Sequence, residues 1–192
     1  MRLRPWSSGI HRLRTECEQR LADLPVPYPF TVPTLIANME QARGRRIQLL
    51  RVDDPRADMR TACGLRAKGA SMSIVLYRGR PTPNQVEHVI VHELAHEWLD
   101  HGATLSAADV GKLLSAATFR AVTDALGPDA VIQGRTRYVS REEREAELSA
   151  SLIRRKSLLQ QPMGTDPISL LEATLSHPMA VPRRRSSRGS HG

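Results

Sequence analysis

The chain has 192 residues, 40% of them hydrophobic, and a formal charge of +8 from 28 lysines and arginines against 20 acidic residues. This is enough chain for one domain with its own apolar core, while two cysteines, Cys17 and Cys63, are too few for a disulfide framework or a cysteine zinc site. No apolar run is as long as a membrane span, and the basic N-terminus lacks the apolar segment of a secretory signal, so a cytoplasmic protein is expected.

Ile10, Leu13, Cys17, Leu21 and Leu24 recur every three or four residues, which predicts an amphipathic helix. It ends at Pro25-Val26-Pro27-Tyr28-Pro29, a run that continues neither a helix nor a central strand. Residues 1–29 are thus read as an N-terminal helix and Pro-rich linker ahead of a main domain over 30–176. Pro33 suits a first helical turn and Gly44 a stop, framing a second helix. Residues 45–52, 61–67 and 72–77 read as three strands.

A third helix covers 86–100, with Pro83-Asn84 as its start and Gly102 as its stop. Residues 106–126 read as one further helix, with a capping box at Ser106 and Asp109 and an end at Gly127-Pro128. Residues 130–138 are a loop or short strand, 140–159 a strong helix, and 166–175 a short last one. From 177 to 192 the chain is basic and without apolar periodicity, and disorder is expected there. The fold class is α+β, mostly helical, with a small three-stranded sheet ahead of the third helix.

Half of the net charge equals the contribution of Arg183, Arg184, Arg185 and Arg188. With aromatics at 4% there is no stacking surface for single-stranded nucleic acid, so any such contact is expected to be weak and confined to this tail.

The chemistry concentrates in His92-Glu93-Leu94-Ala95-His96, an H-E-x-x-H pattern. On a helix the two histidines lie one turn apart on one face and can reach one metal ion. Ile90, Val91, Leu94, Ala95 and Trp98 form an apolar arc opposite them, so one face can dock on a core while the other carries the metal. Glu93 lies about 60° from His96, at the border of that face. A carboxylate there can take a proton from a water that zinc has acidified, the chemistry of a metallopeptidase.

Two histidines are one protein ligand short of a catalytic zinc site. His101 falls about 180° from His92 if the helix continues, so it is read as a helix-end residue facing core or solvent. His88 shares the metal face one turn earlier and is read as supporting a ligand from behind or lining the pocket. Thermolysin-like sites take a Glu as third ligand, with an acidic residue four positions on that steadies a histidine. Glu143 and Glu147 have that spacing and share a face with Ala146 and Ala150. Glu143 is the favoured third ligand, Glu145 or a residue elsewhere the alternative. The same Glu143 also reads as the far end of a capping box opened by Ser140. Tyr138 is a candidate for stabilising an oxyanion.

Taken together, HELAHEWLDH and EREAELSASLI resemble the ImmA/IrrE family of metallopeptidase domains, over roughly residues 30–160. Their second motif reads E-x-x-A-N/E-x-x-A, and Glu143, Ala146, Glu147 and Ala150 fill those places. The resemblance implies a small zincin-like domain holding Zn2+, with His92, His96 and Glu143 as ligands and Glu93 as general base. It also implies a protein substrate, a helix-turn-helix repressor. The stretch between His96 and Glu143 is longer than in the family's pattern, and Ser149 stands where a large apolar residue is usual. A non-catalytic regulator or toxin component that keeps the fold as a binding module is the alternative expectation.

Overall fold

A computed structural model describes residues 6–53, 64–80, 82–134 and 141–159. Cys63, Tyr138, Ser140, the expected helix over 166–175 and the basic tail lie outside the described residues. The elements run α1 (Trp6–Arg20), α2 (Val32–Arg43), β1 (Arg46–Arg51), β2 (Gly64–Lys68), β3 (Met72–Tyr77), α3 (Pro83–Trp98), β4 (Ala103–Thr104), α4 (Ala107–Leu113), α5 (Ala116–Leu126), β5 (Val131–Gly134) and α6 (Arg141–Leu159). None of these helices is long and apolar enough to cross a membrane.

The sheet has five strands in the order β1-β3-β2-β5-β4, not the three expected from the sequence. β1 pairs with β3 in parallel, and the other pairings are antiparallel. The two additional strands come from the region after α3. β4 has two residues and β5 has four, too short for an alternating pattern to declare itself.

Alternate residues of β3 face opposite ways, and both faces are covered. Val75 joins Leu21, Leu24, Leu35, Met39, Ile90, Leu94 and Ile153 in a core built with α1, α2, α3 and α6. Ile74 and Leu76 join Leu65, Ala67, Val110, Leu113, Leu114, Val122 and Ile132 in a second core under α4 and α5.

The expected single helix over 106–126 is two helices. Leu114 is extended (φ −125°, ψ 143°), and Ser115 caps α5 by accepting from the Thr118 N–H at 3.3 Å. Leu113 and Leu114 are both buried, and the break lets adjacent residues enter one core. α2 starts and stops where its sequence signals stand. Thr31 accepts from the Thr34 N–H, Pro33 lies in the first turn, and Gly44 closes the helix at φ 61°.

Between α3 and the sheet lies a buried polar layer. Arg66, 3% exposed, donates to His96 O at 2.6 Å and stands 3.5 Å from Glu97 Oε2. Ser73 donates to Glu97 Oε1 at 2.7 Å and accepts from Arg45 Nε at 2.8 Å. Each group has a partner, which is the condition for burying charge. Arg66→Ala removes the charge facing Glu97 and the donor to His96 O. Urea unfolding should show a loss of about 3 kcal/mol, the scale for breaking a buried pair from one side.

Candidate metal centre

α3 starts on a capping box in which Thr82 Oγ1 and the Gln85 backbone, and the Gln85 side chain and Thr82 backbone, pair reciprocally. Three turns on, His92, Glu93 and His96 are buried at 5%, 3% and 4% exposure. α6 packs against this stretch through Ala146 and Ala150, both fully buried in the core that contains Ala95. Such small side chains let two helices approach closely, and Glu143 on α6 arrives above the histidines.

His92 Nε2 and His96 Nε2 stand 3.1 Å apart. The Glu143 carboxylate bridges them, Oε2 at 3.4 Å from His92 Nε2 and Oε1 at 3.3 Å from His96 Nε2. These three residues form a group that could hold a metal ion. Glu147 Oε2 lies 3.4 Å from His92 Nδ1, close enough for attraction but not aligned as a hydrogen bond. Its other oxygen is 3.4 Å from His88 Nε2, and both of those side chains are half exposed. His92 and Glu147 line two hollows of about 510 and 500 Å3, one also bounded by Ile10, Arg144 and Leu148, the other by Arg80, Gln85 and His88.

Glu93 packs against the start of β2. A Cβ built on Gly64 would lie 2.5 Å from Glu93 Cδ, so only glycine leaves room for the carboxyl group.

Glu145 is placed elsewhere. Its carboxylate accepts from Arg20 Nη1 at 2.8 Å and Arg141 Nε at 2.6 Å, and stands 3.0 Å from His101 Nε2. His101 is neither free at the surface nor opposite the cluster. α3 ends earlier than Gly102, at Trp98, because Asp100 takes a left-handed conformation with φ 54°. The Asp100 N–H bonds to Glu97 O at 3.3 Å and the His101 N–H to His96 O at 3.0 Å, the paired bonds of a Schellman turn. Lys68 pairs with the Asp100 carboxylate. The reversal brings His101, 3% exposed, back beneath His96, with the two Nδ1 atoms 3.2 Å apart. A helical wheel cannot show this, because it assumes that the helix continues. An Asp at the end of the apolar arc, a residue that tolerates the left-handed region, was the available signal.

Burial pulls the His92 imidazole down, but its hydrogen bond to Glu143 and the charges of Glu93, Glu143 and Glu147 outweigh that, and its pKa is raised from 6.5. For His96 burial wins, aided by the nearby charges of His92 and Arg66, and its pKa is lowered. Burial raises the Glu143 carboxyl, yet bonds to both histidines overcome it and hold the group well below the usual carboxylate range.

The fold and the cluster define an α+β protein with a candidate metal centre carried on two helices. Neither a family model, nor a curated protein, nor a solved structure matches the chain.

In the metal-free protein, the raised pKa of His92 contributes stability below pH 6.5 that fades as pH rises through its folded value. The lowered pKa of His96 acts in the opposite sense. A bound ion needs both rings neutral at the ligating nitrogen. Affinity for a divalent ion should therefore climb as pH rises above 6.5, where His92 sheds its proton. It should show no step at the ordinary carboxyl value of 4.5, because Glu143 is already ionised there. Calorimetry in buffers of different ionisation enthalpy reads both the affinity and the protons released.

Proposed function

We propose that this chain is a zinc-dependent endopeptidase acting in the cytoplasm. The observation that carries the reading is the convergence of His92, His96 and Glu143, with Glu93 buried beside them. The separations of 3.1, 3.3 and 3.4 Å fit three donors on one tetrahedral ion. Donors about 2.0–2.1 Å from zinc at tetrahedral angles lie roughly 3.3–3.4 Å from one another. Two histidines and a carboxylate are also a donor set found in catalytic zinc sites with an open fourth position.

A zinc ion held there would acidify water and polarise the carbonyl of a peptide bond. The chain's own groups supply the proton traffic and the positioning. Glu93, with Gly64 against its carboxyl group, takes a proton from the attacking water and returns it to the departing amine. Glu147 lies beside the outer nitrogen of His92 and favours a proton at Nδ1, leaving Nε2 for the ion. The resemblance of the two motifs to the ImmA/IrrE family is the ground for choosing a helix-turn-helix repressor as the substrate.

Glu93→Gln should keep zinc and lose cleavage, because an amide does not accept the proton. Full cleavage by that variant would reject the peptidase chemistry, and intact regulation without any cleavage would identify a binding module. Glu143→Ala should lose most of the zinc, measured as metal per chain. Glu147→Ala should weaken it by about ten- to a hundredfold. Glu142→Ala should leave it in place, since that residue points about 100° away on α6.

A further inference from the structure

We propose that His101 and Glu145, braced by Arg20 and Arg141, form a hydrogen-bonded chain that fixes the tautomer of His96 and aims its Nε2 at the cluster. The proposal rests on reading the cluster as a metal site, and it gives the protein two positioning residues that neither touch substrate nor ligate.

The direction of each bond follows from one end of the chain. The Glu145 side chain is 7% exposed and its two oxygens accept from Arg20 Nη1 at 2.8 Å and Arg141 Nε at 2.6 Å, so it is held as a carboxylate. An ionised oxygen 3.0 Å from His101 Nε2 accepts, so that nitrogen carries the hydrogen. Arg20 Nη1 has a second hydrogen and is 3.2 Å from His101 Nε2, a longer contact than the 3.0 Å to the carboxylate. An unprotonated Nε2 would set its lone pair against the carboxylate, so the carboxylate decides the tautomer. With its hydrogen at Nε2, a neutral His101 offers a lone pair at Nδ1. The 3.2 Å contact between the two Nδ1 atoms then requires His96 Nδ1–H to donate. An ion at the cluster would replace the hydrogen that Glu143 otherwise meets on His96 Nε2, leaving that nitrogen bare toward His92 and Glu143.

The brace ties the site to three separate elements. Arg20 comes from the end of α1 and also donates to Leu99 O at 2.5 Å, at the turn that delivers His101. Arg141 comes from the first turn of α6 and reaches Glu16 on α1 at 2.6 Å. Trp98 Nε1 donates back to Arg20 O at 3.1 Å. Each nitrogen and oxygen of the relay thus has a buried or part-buried partner, so its polarity is fixed by the fold rather than by solvent. Carboxylate–imidazole–metal arrangements orient ligands in this way, here with a second imidazole inserted between carboxylate and ligand.

The test is a long-range 1H–15N spectrum of the imidazole rings in the full-length, zinc-loaded chain at neutral pH. It should show His96 with its hydrogen on Nδ1 and His101 with its hydrogen on Nε2. His101 carrying its hydrogen on Nδ1 in that chain would overturn the proposal without any variant. His101→Phe fills the same space without an acceptor. It should weaken zinc by about ten- to a hundredfold, read by competition with a fluorescent chelator. Glu145→Gln keeps a carbonyl acceptor for His101 and should keep both the tautomer and near-parental affinity, whereas Glu145→Leu should lose both. A residue with only a structural role would lower the melting temperature in each variant and leave zinc affinity, and the His101 tautomer in the Glu145 variants, unchanged. That result would reject the relay while leaving the peptidase reading intact. A parental chain that binds no zinc would reject the peptidase reading and the relay with it.

Discussion

The apposition of α3 and α6 is the constraint on which the rest of this structure depends. Ala95, Ala146 and Ala150 are fully buried in the shared core, and none carries an atom beyond Cβ to hold the helices apart. The carboxylate of Glu143 therefore reaches two histidines on the facing helix at 3.3 and 3.4 Å. A functional constellation tolerates displacements of only about 0.5 Å, and a single larger side chain at the seam would exceed that. Ser149, beside Ala150, continues this economy of size, fully buried with its hydroxyl near the Cys17 thiol.

Beneath α3 the packing is of another kind. Apolar contacts are tolerant of sliding, whereas Arg66, Glu97, Ser73 and Arg45 interlock through directed bonds. A buried ion pair of this sort adds little net stability against a well-packed apolar alternative. Here it permits one rotation and one height of the helix on the sheet, because any other leaves a charge or the His96 carbonyl without its partner. The Schellman turn follows directly, and Lys68 on the sheet pairs with its Asp100. Registration of helix on sheet and burial of His101 are consequences of the same set of bonds.

The local elements were legible because their signals are local. Thr31, Pro33 and Gly44 specify α2 by satisfying helix ends, and the apolar arc of Ile90, Val91, Leu94, Ala95 and Trp98 specifies the buried face of α3. What escaped has its cause in the tertiary fold. β4 and β5 are strands only because β2 offers an edge to pair with. Arg66 lies between Leu65 and Ala67, and alternation alone assigns it to solvent, whereas a helix covers that face. Glu143 and Glu145 are about 160° apart on a helix, so both cannot serve one ion. Choosing between them needed the position of α1, whose Arg20 claims Glu145. The core was one of two places expected for the histidine after α3, but its contact with His96 was hidden by extrapolating a straight helix through a residue that reverses it.

An open sheet has two edges, and exposed strand edges recruit strands from other molecules. β1 forms one edge here, and Glu40 from α2 occupies the Ile47 N–H at 2.6 Å. Arg46, Gln48 and Arg51 are exposed along the same strand, so an incoming copy would meet fixed positive charge and a donor already engaged. At the other edge β4 offers two residues, too few to seed a ladder. Among the described residues the mixed sheet thereby presents no long uncharged strand as a template for edge-to-edge pairing.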